Sequence, residues 1–455
     1  MNKTNKTLLV IFLITLLLLV MFINSRPMPD EGHYLSYALY AGRGETPYKD
    51  YFDHHGIGMT LTFQLIAEQI NIQQAKLIII ILNSINVCLI FLISKKIYDY
   101  NTAIMSALYF MVFIPIFGGV WVINENVMLF LLLIVLFLLT HYKTNVCLLL
   151  AGIITTTIPL FKQTFVWFVV PIIGFLWLKK RNIKMYFAGM TITIFLFGLY
   201  VFLTNDVNVI YQHLIVYNID NAKLLMRMLS VKEMLVCVVM LLPLIGFLLI
   251  KIKQEMTVIQ KTVLAVGLLT LTNLFPFAGL SRLIIFLGVM AIPMGGYLNQ
   301  IKEYNKKILI IVITIFLLTL SVCVLVYSLK DDYSELENIT VKLKKYDSPL
   351  FVYPAVPELY FMTKSSHASR HLWVWYWDAQ DKYQEEIVSQ LKSKEHVFVY
   401  FKALTEDEPN KINQYVKTNC ELKETIRLEK ALYNTFIKTE IYECNKNKFV
   451  LEEKK

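Results

Sequence analysis

The chain has 455 residues, of which 56% are hydrophobic and 17% are charged, whereas about a quarter of the residues of an average soluble protein are charged. The formal net charge of +10 comes from Lys and Arg in short clusters between apolar runs. That distribution is typical of membrane topology signals and poorly suited to a nucleic-acid-binding face. The composition therefore argues against a nucleic-acid partner and indicates an integral membrane protein that crosses the bilayer many times.

Apolar runs fill the first two thirds of the chain, and a helix needs about 20 such residues to cross the hydrocarbon core. The first run follows Lys3 and Lys6 and ends without a small-x-small cleavage pattern, which favours a retained anchor over a cleaved signal peptide. The predicted spans number about eleven by this length rule. They are 7–24, 76–94, 102–117, 122–140, 146–161, 164–178, 185–203, 233–250, 262–278, 281–298 and 308–328.

The loops between these spans differ in charge. If the N-terminus is cytoplasmic, the short Lys-rich loops lie inside, as the positive-inside rule requires. The long segments 25–75 and 204–232 then lie outside, where extra chain on a membrane protein usually carries function. Their acids are Asp30, Glu31, Glu45, Asp50, Asp53, Glu68, Asp206 and Asp220. An odd number of spans also places the C-terminal part outside, so we predict a multi-pass plasma-membrane protein with an extracytoplasmic C-terminal domain.

The C-terminal part, 330–455, has the composition of a soluble domain, and the membrane module is predicted to cover 1–329. Runs rich in Val, Tyr and Phe predict strands at 350–353 and 396–400, a helix lies near 383–394, and 427–442 could form a hairpin. We therefore predict a small α/β domain. Cys420 and Cys444 fall in this part, and an extracytoplasmic location would allow them to pair, although nothing in the sequence sets their distance.

The first outer loop holds two groups of polar residues. Asp30 and Glu31 follow the first span, and Asp30 either caps the helix that begins near Leu35 or takes part in chemistry. Further along, Asp53, His54 and His55 stand together among aromatic residues. Carboxylate and imidazole groups suit a divalent cation, so this stretch is either a metal site or a solvated turn.

Three charged residues stand at the outer edges of later spans. Glu125 begins the span at 122–140, and a carboxylate there is costly unless it is paired or exposed to water; the helix dipole offers the simpler explanation. Lys162 lies between two apolar runs on the outer side, against the positive-inside trend, and Arg282 opens a late span. Such cations often only snorkel to the headgroups, but two of them on the acidic side favour a phosphate site.

These motifs resemble those of the GT-C glycosyltransferases, in the branch of the protein mannosyltransferases and the lipid A aminoarabinose transferases. The matching features are the acidic pair Asp30-Glu31, the stretch from Pro47 to His55, Glu125 followed by Lys162, and Ser281-Arg282 opening a span that contains Pro293. The resemblance covers roughly 1–330, and Tyr353-Pro354 and 357–360 look similar to the outer domains of bacterial members.

The resemblance implies a polytopic helical fold and an inverting transferase that takes a sugar from a polyprenyl-phosphate donor on the outer face. Asp30 would then be the general base or a metal-supporting acid, with Glu31 and Asp53 in the same catalytic group. Lys162 and Arg282 would face the donor phosphate, together with Glu125, His54 and His55. Asp30, Asp53 and His54 are the candidates for a divalent metal. Some relatives carry glutamate and lysine where this chain has Asp53-His54, and proline where it has His55.

The expected partners are the lipid-linked sugar donor, an acceptor in the cell envelope (protein, lipid or glycan) and the membrane lipids. A transporter or flippase of a lipid-linked saccharide is the main alternative, but it would need ionisable residues within the spans or broken, repeated helices. A scaffold or receptor that displays the C-terminal domain would leave the acidic first loop without a purpose. A membrane glycosyltransferase is therefore the predicted function.

Overall fold

The computed structural model describes residues 2–25, 28–204, 207–220, 255–274, 280–300, 333–354, 356–372, 374, 381–403, 410–432 and 436–444. They fall into two compact units. One comprises Met1–Ile23, His55–Gly58 and Gln73–Val326, and the other comprises Asn24–His54, Met59–Ile72 and Tyr327–Lys455. We call them the helical unit and the mixed unit.

The helices in chain order begin with α1 (Lys3–Val20), α2 (Pro29–Gly42), α3 (Gly58–Phe63), α4 (Ile72–Ile97), α5 (Tyr100–Phe113), α6 (Asn124–His141), α7 (Asn145–Thr157), α8 (Val169–Leu178), α9 (Ile183–Thr204) and α10 (Val207–Tyr211). Short 3₁₀ segments, Ile158–Leu160 and Gln163–Phe168, join α7 to α8, and a π-helical turn, Gln212–Val216, follows α10. The chain continues with α11 (Val258–Leu269), α12 (Leu283–Gln300) and α13 (Ser334–Leu343). A 3₁₀ turn, Leu280–Arg282, precedes α12.

The C-terminal elements are β1 (Leu350–Tyr353), α14 (Glu358–Thr363), α15 (Asp381–Lys392), β2 (His396–Ala403), α16 (Lys411–Asn419), β3 (Cys420–Leu432) and β4 (Phe436–Cys444). They form a four-stranded sheet in the order β1-β2-β4-β3. β1 and β2 are parallel, whereas β2–β4 and β3–β4 are antiparallel. The predicted strands, the predicted helix and the predicted hairpin are thereby confirmed.

Within the described residues, four helices are long and apolar enough to cross a membrane, namely α1, α4, α6 and α9. Five shorter apolar helical segments accompany them, at Tyr100–Phe113, Asn145–Leu160, Gln163–Leu178, Val258–Thr272 and Leu283–Asn299. They coincide with predicted spans to within a few residues, which confirms the predicted apolar helices. The predicted spans 233–250 and 308–328 lie outside the described residues, so the total of eleven stays a prediction.

A buried polar network holds the segment that leads into α6. Asn126 donates through Nδ2 to the carbonyls of Gly118 at 2.9 Å and Trp121 at 2.8 Å. Asn83 of α4 donates to the Asn126 Oδ1 at 2.8 Å and to the Gly119 carbonyl at 2.7 Å. Gly118 has φ +82°, a left-handed conformation that an L side chain would strain. Buried carbonyls in an irregular segment need such donors, and the network therefore fixes the loop that delivers Glu125.

The mixed unit contains a segment that sequence analysis assigned to the membrane module. Tyr37 and Tyr40 of α2 belong to the same buried core cluster as Leu336, Leu350 and other residues of the C-terminal part. Ser36 donates to the Pro357 carbonyl at 2.8 Å, across 321 residues of sequence. The first outer loop is therefore built into the core of the C-terminal part. The predicted division into 1–329 and 330–455 stays a prediction.

A disulfide joins Cys420 to Cys444. It links the start of β3 to the end of β4, where the two residues are paired in the sheet register. Of the two outcomes that the sequence allowed, pairing is the one observed. Disulfides persist in oxidising compartments and are rare in the cytosol.

We predict that Asn126→Ala destabilises the helical unit, because it removes the side-chain hydrogen bonds to the Gly118 and Trp121 carbonyls and the acceptor of the Asn83 amide. Each of these hydrogen bonds contributes about 0.5–1.5 kcal/mol. The measurement is the melting temperature of the purified protein in detergent. Asn182→Ala is the matched control, since it removes an exposed amide bonded to Asn145 at 3.1 Å in the same unit. Equal melting temperatures for the two variants would contradict the proposed importance of the network.

Candidate active site

The two acids at the start of α2, Asp30 and Glu31, have different surroundings. The Glu31 carboxylate accepts the Met28 backbone N–H at 2.7 Å, and Glu31 itself is completely buried. It therefore satisfies one of the free N–H groups at the helix start. Asp30 stands one residue earlier in the first turn and is half-buried. The capping role that sequence analysis considered for Asp30 is thus performed by Glu31.

Asp53 forms a buried pair with a histidine of α2. Its Oδ1 lies 3.4 Å from the Nε2 of His33, and both side chains are almost completely buried. His33 stands three residues after Asp30, so the two lie on neighbouring positions of one helix surface. The ring of His54 lies 5.8 Å from that of His33, centroid to centroid. Imidazole and carboxylate are donors that suit a divalent ion such as Zn²⁺ or Mn²⁺, so the pair His33–Asp53 fits a metal.

Phe52, the residue before Asp53, makes hydrogen bonds through its backbone N–H and carbonyl and a ring contact through its side chain. The Phe52 N–H donates to the Arg370 carbonyl at 2.8 Å, and its carbonyl accepts a hydrogen bond from the Tyr37 hydroxyl. Its ring stacks on His371, with 5.1 Å between centroids and 25° between planes. Since Asp53 follows directly in the chain, these contacts fix the position of its carboxylate.

An ion cluster supports this arrangement. The Glu386 carboxylate accepts hydrogen bonds from the Arg370 guanidinium, one of them at 3.1 Å, and lies 3.3 Å from the His371 Nε2. Burial by itself would raise the pKa of Glu386, but the bonds from His371 and Arg370 outweigh it and lower the pKa to about 2. Burial lowers the pKa of His371. Around neutral pH, Glu386 is therefore a carboxylate fixed between Arg370 and His371.

In the helical unit, three residues from separate loops converge. The Nζ of Lys162 lies 3.3 Å from the Glu125 Oε1, and the Glu125 side chain is 9% exposed. The Arg282 guanidinium also attracts that carboxylate. Two cations and one carboxylate leave one net positive charge, so the cluster can attract an anion while Glu125 keeps the cations in place.

The local backbone explains how Lys162 reaches this cluster. Lys162 has an extended conformation, φ −154° and ψ 118°, between the two 3₁₀ segments. Asn124 donates through Nδ2 to the Phe161 carbonyl at 3.2 Å and holds the break against the start of α6. Arg282 ends the 3₁₀ turn that leads into α12. The predicted interruption between the spans 146–161 and 164–178 is confirmed at Lys162.

Sequence analysis missed two residues of interest. His33 escaped notice, although its spacing of three from Asp30 in a helical segment was available as a signal. Lys76 of α4 is completely buried. It opens a predicted span on the acidic side, the same exception to the positive-inside rule that singled out Lys162. His55 is half-buried and lies in the segment His55–Gly58 of the helical unit.

The fold was compared with solved structures. The crystal structure of ArnT from Cupriavidus metallidurans bound to undecaprenyl phosphate matches with a TM-score of 0.64 at 8% identity, covering 97% of this chain and 98% of that one. The same protein in its apo state matches with a TM-score of 0.51 at 9% identity, covering 98% and 99%. The chain has the fold of these ArnT structures. The resemblance predicted from the motifs is confirmed at the level of fold.

A third solved structure gives a lower score, and the sequence itself has no match. The Archaeoglobus fulgidus oligosaccharyltransferase, tethered with an acceptor peptide, gives a TM-score of 0.47 at 10% identity, covering 87% of this chain and 69% of that one. No protein-family model and no curated protein matches the sequence.

We predict that Glu386→Gln lowers the melting temperature at pH 7, because it removes the charge that holds Arg370 and His371. A carboxyl whose folded pKa lies below its usual 4.5 stabilises the fold above that pH, and the contribution is lost as the pH falls from about 4.5 to about 2. The difference between wild type and variant, about 1–3 kcal/mol for a partly exposed group, should therefore shrink over that range.

The matched control for this variant is Glu385→Gln, whose carboxylate is exposed and pairs with Lys411. It should melt like wild type at every pH. A Glu386→Gln protein whose melting temperature follows that of wild type from pH 7 to pH 3 would show that the cluster does not stabilise the unit.

Proposed function

We propose that this protein is a membrane glycosyltransferase that moves a sugar from a polyprenyl-phosphate donor to an acceptor of the cell envelope. The observation that carries the proposal is the cluster of Lys162 and Arg282 around Glu125, in a chain whose fold matches ArnT bound to undecaprenyl phosphate over nearly its whole length.

The proposed mechanism assigns one task to each group. Asp30 accepts the proton of the acceptor hydroxyl as that oxygen attacks the anomeric carbon, and the bond from that carbon to the phosphate oxygen breaks. Lys162 and Arg282 stabilise the charge on the departing polyprenyl phosphate. Attack from the side opposite the phosphate inverts the anomeric centre. Such a general base contributes about 10²–10⁴-fold.

We assign a supporting role to the remaining predicted residues. Asp53 and His33 would hold a divalent metal, which supplies positive charge for the phosphate when it is bound. His54 and His55 are proposed to line the path of the donor. Glu31 holds the helix that presents Asp30, and Glu125 holds the two cations.

The proposed location is the outer side of a plasma membrane, with the N-terminus in the cytoplasm. The Cys420–Cys444 disulfide supports it, because an oxidising compartment suits such a bond. The acidic outer loop and the Lys-rich loops of the opposite side agree with that orientation.

We predict that Asp30→Asn abolishes transfer, because an amide cannot accept the proton. The gene is replaced by each variant in its own host, and the cell-envelope glycans are analysed by mass spectrometry against a deletion strain. The sugar that disappears on deletion should also be missing with Asp30→Asn. Asp50→Asn is the control, since Asp50 is an exposed acid of the same loop that accepts the Thr46 N–H at 2.7 Å. Undiminished glycans with Asp30→Asn would remove Asp30 from the mechanism.

We predict that Lys162→Gln weakens binding of undecaprenyl phosphate to the purified protein by about tenfold or more, the effect of losing one hydrogen bond to a charged group. Native mass spectrometry can measure this in detergent. Lys143→Gln, at an exposed lysine between α6 and α7, should bind as wild type does.

Glu125→Gln provides the second arm of this experiment. The neutral amide removes the negative charge while its oxygen can still accept a hydrogen bond from Lys162, so the lipid should bind at least as tightly as to wild type. If Lys162→Gln binds like Lys143→Gln, or if Glu125→Gln loses binding while keeping its melting temperature, these cations are not the phosphate site.

A further inference from the structure

The mixed unit carries a polar pocket that takes no part in the proposed transfer. It has a volume of about 280 Å³ and opens between the segment that follows α13 and the segment that follows α14. Small-molecule pockets usually measure about 300–1,000 Å³. The pocket can therefore hold one small ring, such as a monosaccharide.

Hydroxyl groups dominate the lining. Among the described residues, the hydroxyls of Ser348, Ser365 and Ser366 make no hydrogen bond within the protein. The Tyr346 ring is partly buried against the core and lines the same pocket. A flat ring beside several hydroxyls suits a sugar, whose C–H face packs on the aromatic surface while its hydroxyls exchange hydrogen bonds.

One wall of the pocket is held rigidly by its backbone. Three successive carbonyls accept hydrogen bonds from other parts of the unit: Lys364 from the Arg43 guanidinium at 2.9 Å, Ser365 from the Tyr40 hydroxyl at 2.8 Å and Ser366 from the Leu350 N–H at 2.8 Å. Because the carbonyls are already engaged, the serine hydroxyls of this wall remain as its ligand groups. Such a wall is organised before any ligand binds, which reduces the entropic cost of binding.

The pocket also has an excess of positive charge. Lys344, Lys364 and Asp347 line it, so the lining residues together carry one net positive charge. Lys364 is held in place by hydrogen bonds from its Nζ to the Ala67 carbonyl at 2.6 Å and the Ile70 carbonyl at 3.1 Å. Burial lowers its pKa to about 8; the charges of Arg43 and Lys344 also lower it, whereas Glu68 raises it. An anionic group in the pocket would relieve the repulsion.

We propose that this pocket is a second saccharide-binding site, which takes a sugar ring bearing a phosphate or a carboxylate. The anionic group would lie at Lys344, which is exposed and has no other partner among the described residues. The ring would rest on Tyr346, and its hydroxyls would bond to Asp347 and the serines. This site goes beyond the proposed transfer and does not depend on it.

The test is calorimetric titration of the purified full-length protein with glucose 1-phosphate and with glucuronate, which distinguish the two anionic groups. At least one of them should bind. Lys344→Ala should weaken that binding about tenfold, as expected for loss of a charged partner, and Ser366→Ala about threefold. Lys345→Ala is the matched control: Lys345 is an exposed neighbour that does not line the pocket, and its loss should change nothing.

Further measurements distinguish this site from the transfer site and from simple binding of a sugar or of phosphate. Binding should persist in Asp30→Asn, because the transfer site is not involved, so failure of the proposed function leaves this result intact. Glucose and inorganic phosphate should each bind more weakly than the better anionic sugar. The proposal is overturned if neither anionic sugar binds, if Lys344→Ala and Lys345→Ala behave alike, or if phosphate alone binds as tightly as the sugar.

Discussion

The contact between Gly32 and the backbone of Glu358 is the constraint on which the mixed unit depends. A Cβ added at Gly32 would lie 2.4 Å from the Glu358 nitrogen, so only glycine allows α2 to pack this closely. That approach brings Ser36 to the Pro357 carbonyl and Tyr40 to the Ser365 carbonyl. Asp30 and His33 are presented by the same helix, and α2 also supplies the Tyr37 hydroxyl that holds Phe52. The acidic residues of the first loop are therefore positioned by the C-terminal part.

A different principle organises the helical unit, where charge near apolar helices must be balanced. Glu125 is nearly buried, and a lone carboxylate there would be costly. Its partners Lys162 and Arg282 reduce that cost, while the surplus charge stays available to an anion. The Asn83–Asn126 network serves the same helix by satisfying the carbonyls before it. The uncharged amides of Asn83 and Asn126 thus bind the backbone, and the charged groups of Lys162 and Arg282 are available for the proposed reaction.

Much of the fold and part of the candidate site could be predicted from local sequence. The remaining features could not, because they depend on contacts between distant segments. Apolar length predicts the spans, and exceptions to the positive-inside rule indicate Lys162 and Arg282. Short runs rich in Val, Tyr and Phe predict β1 and β2. The identity of the cap at α2 depends on which carboxylate accepts the Met28 backbone N–H. From the sequence, Asp30 is as good a candidate as Glu31. The packing of α2 joins residues more than 300 positions apart, and no periodicity within either segment carries that information.

The shared core of the first loop and the C-terminal part also determines the order in which these parts can fold during synthesis. Ser36 and its partner Pro357 are 321 residues apart, and chains grow at about 5–20 residues per second. The aromatic face of α2 therefore leaves the ribosome roughly 15–60 s before the surface that covers it. During that interval Tyr37 and Tyr40 lack their final neighbours, and the intervening helices enter the membrane first. The proposed catalytic loop is thus made before the helices that follow it and completed only after them.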